Sequence, residues 1–242
     1  MSSDQNRLLK DVVSIMKHPL TDNGIFYVHD ETNMLKGYAL VIGPIDTPYQ
    51  HGFYFFEFDF PTNYPYAPPK VTYHTNNGKT RFNPNLYRNG KVCVSTLNTW
   101  RGEQWTACQS IRSILMTLVT LLNNNPLTNE PGFRDNHPAC KPYRDIIEFM
   151  NYRTAICDIL NKRHLPEMFY GFLPIITRYV IENKDVINSN LKKLKDSPVN
   201  NTKIQVGAYN MSLNVNYQSI IVDFELLIKE LMIKELMIKE IN

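Results

Sequence analysis

The 242-residue sequence contains no uninterrupted apolar run near the roughly 20 residues that a membrane-spanning helix requires. Its start, MSSDQNRLLK, lacks the apolar stretch of a secretory signal. Both absences predict an intracellular protein, located in the cytoplasm and also in the nucleus. Asn, Ile, Lys and Tyr are frequent, as in products of AT-rich protist or large-DNA-virus genomes, and a viral origin would place the protein in the host cytoplasm.

Cysteine is scarce, and its four positions form no metal-binding or disulfide pattern. Cys93, Cys108, Cys140 and Cys157 include no CxxC pair, and the histidines show no paired ligand spacing. The sequence therefore predicts neither a metal site nor a disulfide framework, and it favours a reducing compartment.

Neither basic nor acidic residues are in large excess. The net charge of +3, from 26 basic and 23 acidic residues, is too small to indicate a nucleic-acid or anionic-membrane surface. With 43% hydrophobic residues, the composition is that of a globular protein. The length suits one sizeable domain with appendages.

The first half of the chain predicts a helix followed by a sheet. Residues 4–17 carry apolar side chains at helical spacing. Turn-forming residues then separate four β-rich runs, which predict a four-stranded antiparallel meander: GIFYVHD, KGYALVIG, GFYFFEFDF and PKVTYHT.

A long irregular stretch, residues 75–103, follows the sheet and contains Cys93. Loops of this length in compact domains are usually functional or disordered. The next segment, TACQSIRSILMTLVTLLNN, predicts a buried central helix that begins with a capping box between Thr106 and Gln109.

Further helices are predicted over 142–160 and 167–195, the second bent or interrupted by Gly171 and Pro174. Helices that follow strands in this way indicate an α+β fold. The expected division is a core domain over 1–165, a helical C-terminal extension, a linker of low order and a repetitive helical tail; the last three span 166–196, 197–224 and 225–242.

The tail, ELLIKELMIKELMIKEIN, is a five-residue repeat in which Glu225, Glu230 and Glu235 each precede a Lys by four residues, which favours a helix. Five residues turn a helix by about 140°, so the apolar side chains spread around it instead of forming a coiled-coil seam. Two interpretations stay open. The tail either packs loosely or self-associates, or it binds a specific partner.

Five motifs occur in an order that resembles the ubiquitin-conjugating enzyme family over roughly residues 4–160. Several short sequences within these motifs also resemble the branch of the family that contains the very large BRUCE-like hybrid conjugating enzyme–ligase proteins. In that branch, domains similar to this one continue past the common core into extra C-terminal helices. The motifs are FPTNYPYAPPK, FNPNLY, GKVCVSTLNTW, QWTA and NEPGF, at 60–70, 82–87, 90–100, 104–107 and 129–133.

Taken alone, Cys93 between two valines would be a small buried hydrophobic residue. The resemblance implies instead that it is the nucleophile, because it follows Asn85 by eight residues, the family's spacing. It implies a transferase that receives ubiquitin from an ATP-dependent activating enzyme as a thioester on Cys93 and passes it to lysines. No metal or bound cofactor is implied.

The resemblance gives two further residues catalytic roles. Asn85 would stabilise the oxyanion or, alternatively, support the active-site loop. Glu130, an acid before a proline, would orient or deprotonate the incoming lysine, although a lone Glu in a turn is often only solvated; Asp135 is the alternative acid.

In the predicted active-site loop, Asn83 stands where many relatives have His, and its amide can replace the loop hydrogen bonds credited to that His. Pro84 follows it. The segment between Cys93 and Trp105 is longer than in minimal family members, and Trp100 within it would either cover the site or pack.

The resemblance also implies partner surfaces. A RING-type ligase would contact Tyr66 together with Trp105, Thr106 and Ala107, where Ala107 replaces the usual Pro. The activating enzyme would dock on Arg7 and Lys10 of the first helix. Both surfaces have a simpler interpretation, since an exposed Tyr can pack in its loop and basic residues on a helix need no partner.

The implied partners are thus ubiquitin, its activating enzyme, a RING-type ligase and protein substrates, with neither nucleic acid nor membrane. Two alternative functions stay open: a catalytically weak module that binds ubiquitin or a partner, and a carrier of another ubiquitin-like modifier. The intact Cys93 and FNPN argue against the binding module.

Overall fold

The computed structural model describes the backbone of residues 3–241 and the side chains of residues 7–237. The helices and strands, numbered in chain order, are α1 (Ser3–Lys17), β1 (Ile25–His29), β2 (Lys36–Ile42), β3 (Phe53–Asp59), β4 (Lys70–Tyr73), α2 (Ile111–Leu121), α3 (Cys140–Met150), α4 (Leu173–Lys195), β5 (Lys203–Val206), β6 (Met211–Asn214) and α5 (Tyr217–Ile241). No helix within these described residues is long and apolar enough to cross a membrane.

The first four strands form one antiparallel sheet in the order β1-β2-β3-β4. In its register Ile42 pairs with Phe53, and Asp59 pairs with Lys70. The predicted α+β fold, with its N-terminal helix, meander, central helix and C-terminal helices, is confirmed.

Both faces of the sheet are covered, which explains why β3 is an almost continuous apolar run, FYFFEFD. Side chains alternate between the faces of a strand. Phe55 points toward Phe169, just before α4, with ring centroids 4.8 Å apart, while Tyr54 points to the other face and meets Tyr49 at 5.6 Å. The C-terminal extension is therefore a second layer on the sheet.

The central helix α2 begins four residues later than its predicted capping box. Ser110 is the N-cap: its hydroxyl accepts a hydrogen bond from the Ser113 N–H, and the Ser113 hydroxyl accepts one from the Ser110 N–H. Thr106 is exposed, and its carbonyl accepts a turn hydrogen bond from the Gln109 N–H at 3.0 Å. The prediction of a cap at Thr106 is wrong because residues 106–109 form a turn that precedes the helix.

The two predicted later helices contain irregular turns. After α3 the chain continues through the wider π-type turns of Asn151–Asp158. The segment predicted over 167–195 divides into tighter 3₁₀ turns at Glu167–Phe172 and then α4, which carries Pro174 in its first turn. This division confirms the predicted interruption. Proline is tolerated in the first turn of α4 because the backbone N–H that it lacks would have no partner within the helix there.

The expectation that segment 197–224 is a linker of low order is wrong. The segment contains the β5–β6 hairpin, in which Val206 pairs with Met211, and the first turns of α5. Buried side chains of the hairpin anchor it to the body of the protein; they are Ile204, Val206 and Met211. The sequence analysis missed these short strands because their few alternating apolar residues stand among many Asn, Ser and Thr residues.

Helix α5 begins at Tyr217, so the predicted boundary at 225 falls inside it. Phe224 and Ile228 are buried where α5 contacts α4, whereas Ile233 and Leu236 are largely exposed. The other domain boundaries, and both interpretations of the tail, stay predictions.

We expect Ser110→Ala to lower the free energy of unfolding by about 1 kcal/mol, because α2 loses its N-cap acceptor. Thr106→Ala is the matched control and should change it by less than about 0.5 kcal/mol. Urea unfolding of the two variants beside the parent protein measures both values. A larger loss at Thr106 would contradict the assigned cap.

Candidate active site

Cys93 lies in the irregular segment between β4 and α2, where isolated backbone bridges replace a regular strand. Leu86 bridges to Val92, and the Cys93 N–H donates a hydrogen bond to the Asn85 carbonyl at 2.8 Å. The residue as a whole is only 2% exposed. Its backbone is therefore held in place by the FNPN segment.

The Asn85 side chain makes a second link to the same residue. Its Nδ2 donates to the Cys93 carbonyl at 2.6 Å. Its Oδ1 is buried and has no hydrogen-bond partner in the part of the chain that the structure describes. In this arrangement one N–H of the amide supports the Cys93 loop. An amide nitrogen has two N–H donors, so the second can serve the oxyanion role without releasing that carbonyl.

Asn83 is fully buried, and its amide joins three segments. Its Oδ1 accepts from the Asn85 N–H at 2.9 Å and from Asn129 Nδ2 at 3.3 Å. Its Nδ2 donates to the Leu121 carbonyl at 2.7 Å and to the Tyr49 hydroxyl at 3.0 Å. An amide has two donors and two acceptor lone pairs, so Asn83 uses its full capacity.

Arg81 is a residue that the sequence analysis missed. Its guanidinium donates through Nε to the Asn83 carbonyl at 3.1 Å and through Nη2 to the Pro84 carbonyl at 2.5 Å. It also lies 3.3 Å from the ring centroid of Tyr87 and 4.9 Å from that of Tyr209, which is a cation–π arrangement. The buried Arg81 thus ties the FNPN segment to the β5–β6 hairpin.

Glu130 is half-buried and follows Asn129, the residue that contacts Asn83. Its Oε2 accepts a hydrogen bond from the Tyr209 hydroxyl at 2.6 Å. Burial, and then this bond to a carboxylate, raises the pKa of Tyr209, so the phenol keeps its proton near neutral pH. Asp135, the alternative acid, is exposed and accepts from Asn125 at 2.8 Å.

The predicted ligase-binding residues differ in exposure. Tyr66 is 71% exposed, whereas Trp105 is 8% exposed and donates through Nε1 to the Pro65 carbonyl at 2.7 Å. Thr106 is exposed and Ala107 is half-buried. Trp105 therefore supports the loop that presents Tyr66 and offers little surface of its own.

Arg7, predicted to dock the activating enzyme, makes contacts inside the protein. Its Nε pairs with Asp11 at 3.0 Å, and its two terminal nitrogens donate to the Ala107 and Gln109 carbonyls, each at 2.7 Å. Arg7 thus joins α1 to the turn before α2. Lys10 is exposed, and the docking role of both residues stays a prediction.

Trp100 is half-buried in the loop between Cys93 and Trp105. Its carbonyl accepts from Gln104 Nε2 at 3.1 Å, and Asn98 closes the loop by accepting the Trp105 N–H at 2.8 Å. These contacts order the loop. Whether Trp100 covers the site or packs stays open.

The other three cysteines lie in different surroundings. Cys108 is exposed, and Cys140 and Cys157 are buried. Burial raises the pKa of Cys157 to about 12, which keeps it a neutral thiol. Cys157 is therefore a poor nucleophile.

Three residues of this region had no role in the sequence analysis: Arg81, Asn129 and Tyr209. Arg81 directly precedes the motif FNPNLY and Asn129 is the first residue of NEPGF, so their position was a usable signal. No sequence signal pointed to Tyr209, because its contact with Glu130 joins residues that are 79 positions apart.

Comparison with known proteins identifies relatives of this chain. Residues 7–145 match the family model for ubiquitin-conjugating enzyme. Ubiquitin-conjugating enzyme E2 Z from Homo sapiens is 41% identical over 199 residues, which cover 78% of this chain and 56% of the relative. The protein of the same name from Danio rerio is 44% identical over 171 residues, covering 69% and 52%.

A solved structure from Plasmodium yoelii, provisionally described as a ubiquitin-conjugating enzyme, has the same fold. It superposes with a TM-score of 0.51 at 21% identity, covering 64% of this chain and 97% of that one. The chain spans about half the length of the curated relatives it matches.

Replacing Asn83 by Ala should lower the free energy of unfolding by about 2–3 kcal/mol, because the buried Asn85 N–H loses its acceptor. Asn89→Ala is a matched control at an exposed asparagine that accepts one bond from the Lys91 N–H at 3.2 Å. It should change the value by less than about 0.5 kcal/mol. Similar losses in urea unfolding of both variants would refute the central role of Asn83.

Proposed function

We propose, since the chain belongs to the ubiquitin-conjugating enzyme family, that it accepts ubiquitin from the activating enzyme as a thioester on Cys93. It then transfers ubiquitin to substrate lysines, directly or with a ligase. The observation that carries the proposal is the pair of hydrogen bonds by which Asn85 holds Cys93, within a chain that matches the family over 7–145.

The chemistry is acyl exchange through cysteine. The Cys93 thiolate attacks the thioester carbonyl on the activating enzyme, a new C–S bond forms, and the old C–S bond breaks to release the activating enzyme's thiolate. A lysine amine later attacks the Cys93 thioester and displaces the Cys93 thiolate. A thiolate suits both steps because it is a good nucleophile and a good leaving group.

Asn85 supports this reaction chiefly as a loop residue. Its side-chain amide already donates to the Cys93 carbonyl at 2.6 Å, which orients the nucleophile. Stabilisation of the tetrahedral oxyanion is its second candidate role, because a fixed amide donor near the developing charge lowers the barrier.

Glu130 is the proposed acid that meets the incoming lysine. Lysine has an ordinary pKa of about 10.4, so at neutral pH the amine must lose a proton before it attacks. A carboxylate can orient the ammonium and accept that proton. Glu130 adjoins Asn129, whose side chain contacts the Asn83 amide of the FNPN segment, and this proximity supports the role.

The partners belong to the same proposal. A RING-type ligase would bind the exposed Tyr66 and Thr106, and the activating enzyme would bind the α1 surface at Lys10. Protein substrates would supply the lysines. A cytoplasmic and nuclear location, or the host cytoplasm for a viral protein, is supported by four cysteines that are all free thiols.

The finer placement in the BRUCE-like branch is likewise a proposal. It is supported by the motifs RFNPNLY, GKVC, LNTW and NEPGF and by helices that continue beyond the core. The alternatives are a carrier of another ubiquitin-like modifier and a catalytically weak binding module.

We expect the protein to form a reductant-sensitive adduct when it is incubated with ubiquitin, activating enzyme and ATP. Cys93→Ser should abolish the thioester and leave at most a reductant-resistant ester, because the seryl oxygen replaces sulfur. Cys108→Ser removes the exposed thiol and serves as the matched control, which should charge normally. Electrophoresis with and without reductant measures all three.

The outcomes separate the alternatives. A thioester that survives Cys93→Ser would refute the assigned nucleophile. No adduct with ubiquitin, followed by an adduct with another modifier and its own activating enzyme, would favour the second carrier. No adduct with either would favour the binding module.

Asn85→Ala should lower the free energy of unfolding by about 1 kcal/mol, because the Cys93 carbonyl loses its donor. It should also slow the transfer of ubiquitin to lysine. Urea unfolding measured beside single-turnover discharge tests both effects. Unchanged stability with transfer slowed by about 10²–10³-fold would instead favour the oxyanion role.

A further inference from the structure

The turn of the β5–β6 hairpin has an uncommon backbone conformation. Tyr209 and Asn210 have φ values of 59° and 50°, in the left-handed region. A bulky residue rarely adopts this region unless surrounding contacts hold it there. The contacts of Tyr209 are therefore informative.

Tyr209 reaches the candidate active site with three different groups. Its hydroxyl donates to Glu130 Oε2 at 2.6 Å, its carbonyl accepts from Arg88 Nη2 at 2.6 Å, and its ring centroid lies 4.9 Å from the Arg81 guanidinium. One residue thus contacts the FNPN neighbourhood on one side and the proposed acid on the other.

The hairpin itself is firmly placed. The Arg81 N–H donates to the sulfur of Met211 at 3.3 Å, and the Arg81 carbonyl accepts from the Tyr143 hydroxyl at 2.7 Å. Met211, Arg81 and Tyr143 are all buried. The hydroxyl of Tyr209 is therefore presented by a supported element and not by a free loop.

We infer that Tyr209 is a positioning residue for ubiquitin transfer, and that the β5–β6 hairpin thereby completes the active site. Its hydroxyl holds the Glu130 carboxylate in the orientation that receives the incoming lysine. This inference rests on the proposed function. A hydrogen bond to a carboxylate is stronger than one between neutral groups, so it can fix a side chain that would otherwise sample several rotamers.

Tyr209 takes no part in bond making. The lysine ammonium gives a proton to Glu130, the amine nitrogen forms the amide bond to the ubiquitin carbonyl carbon, and the C–S bond to Cys93 breaks. The thiolate leaves with the electron pair. The second amine proton, lost as the amide forms, passes to the thiolate or to water.

The test uses the full chain carrying Tyr209→Phe, which removes the hydroxyl and keeps the ring against Arg81. Charging with ubiquitin should proceed at the normal rate, because it needs no lysine. Discharge of the purified thioester to free lysine should slow about fivefold, the effect of losing one orienting hydrogen bond.

Tyr179→Phe is the matched control. Its hydroxyl hydrogen-bonds His51 Nδ1 at 2.9 Å and so also joins the C-terminal extension to the body of the protein, on the face of the sheet where Phe53 meets Tyr179. This variant should discharge at the normal rate. Thermal unfolding of both variants reports any loss of stability.

A double-mutant cycle shows whether Tyr209 acts through Glu130. In a Glu130→Gln background, Tyr209→Phe should cause no further loss of discharge rate, because the carboxylate that it orients is absent. Equal losses in both backgrounds, or slowed charging together with slowed discharge, would indicate a general structural role and overturn the inference.

Two negative results remain distinguishable. If the unmodified chain forms no thioester, the proposed function fails and this inference fails with it. If it charges normally and Tyr209→Phe discharges as fast as the unmodified chain, the proposed function stands and the inference alone is overturned.

Discussion

The buried amide of Asn83 is the interaction on which the candidate active site depends. The segment around Cys93 forms isolated bridges and no regular strand, so its polar groups must find other partners. Asn83 supplies them: through the Asn85 N–H it fixes the residue that holds Cys93, and through Asn129 it places the residue before Glu130. One uncharged side chain thus sets the relative positions of the proposed nucleophile and the proposed acid, and a change at Asn83 would affect both.

A second constraint comes from the sheet. Because β3 buries both faces, the C-terminal extension must cover one of them, and Phe169 does so by packing on Phe55. The extension is consequently part of the same hydrophobic core as the sheet. From there the chain continues through α4 to the β5–β6 hairpin, whose Tyr209 contacts Arg81 and Glu130.

The sequence predicted what depends on local patterns. The strands of the meander follow from alternating and continuous apolar runs bounded by turn residues. The family resemblance pointed to Cys93 and Asn85, whose contact the structure shows and whose catalytic roles stay predictions. The wrong cap at Thr106 was a choice between two nearby hydroxyl residues, which only the local Ser110–Ser113 contacts decide. Other features depend on side-chain contacts across the chain, which no local pattern shows. The β5–β6 strands lie in a polar stretch of sequence and are stabilised by hairpin side chains that are buried against the rest of the protein. The contact between Arg7 and the Ala107 carbonyl joins residues that are 100 positions apart.

The chemistry of the proposed transfer explains why tyrosine is a suitable partner for Glu130. A cationic partner would orient a carboxylate but also stabilise its charge, which weakens it as a proton acceptor. A phenol orients the carboxylate through a hydrogen bond and brings no positive charge. The guanidinium of Arg81 lies against the rings of Tyr87 and Tyr209 and bonds the Asn83 carbonyl, so its charge supports the loop. Tyr209 therefore links two charged residues whose roles stay separate, since Arg81 holds the loop and Glu130 is the proposed acid.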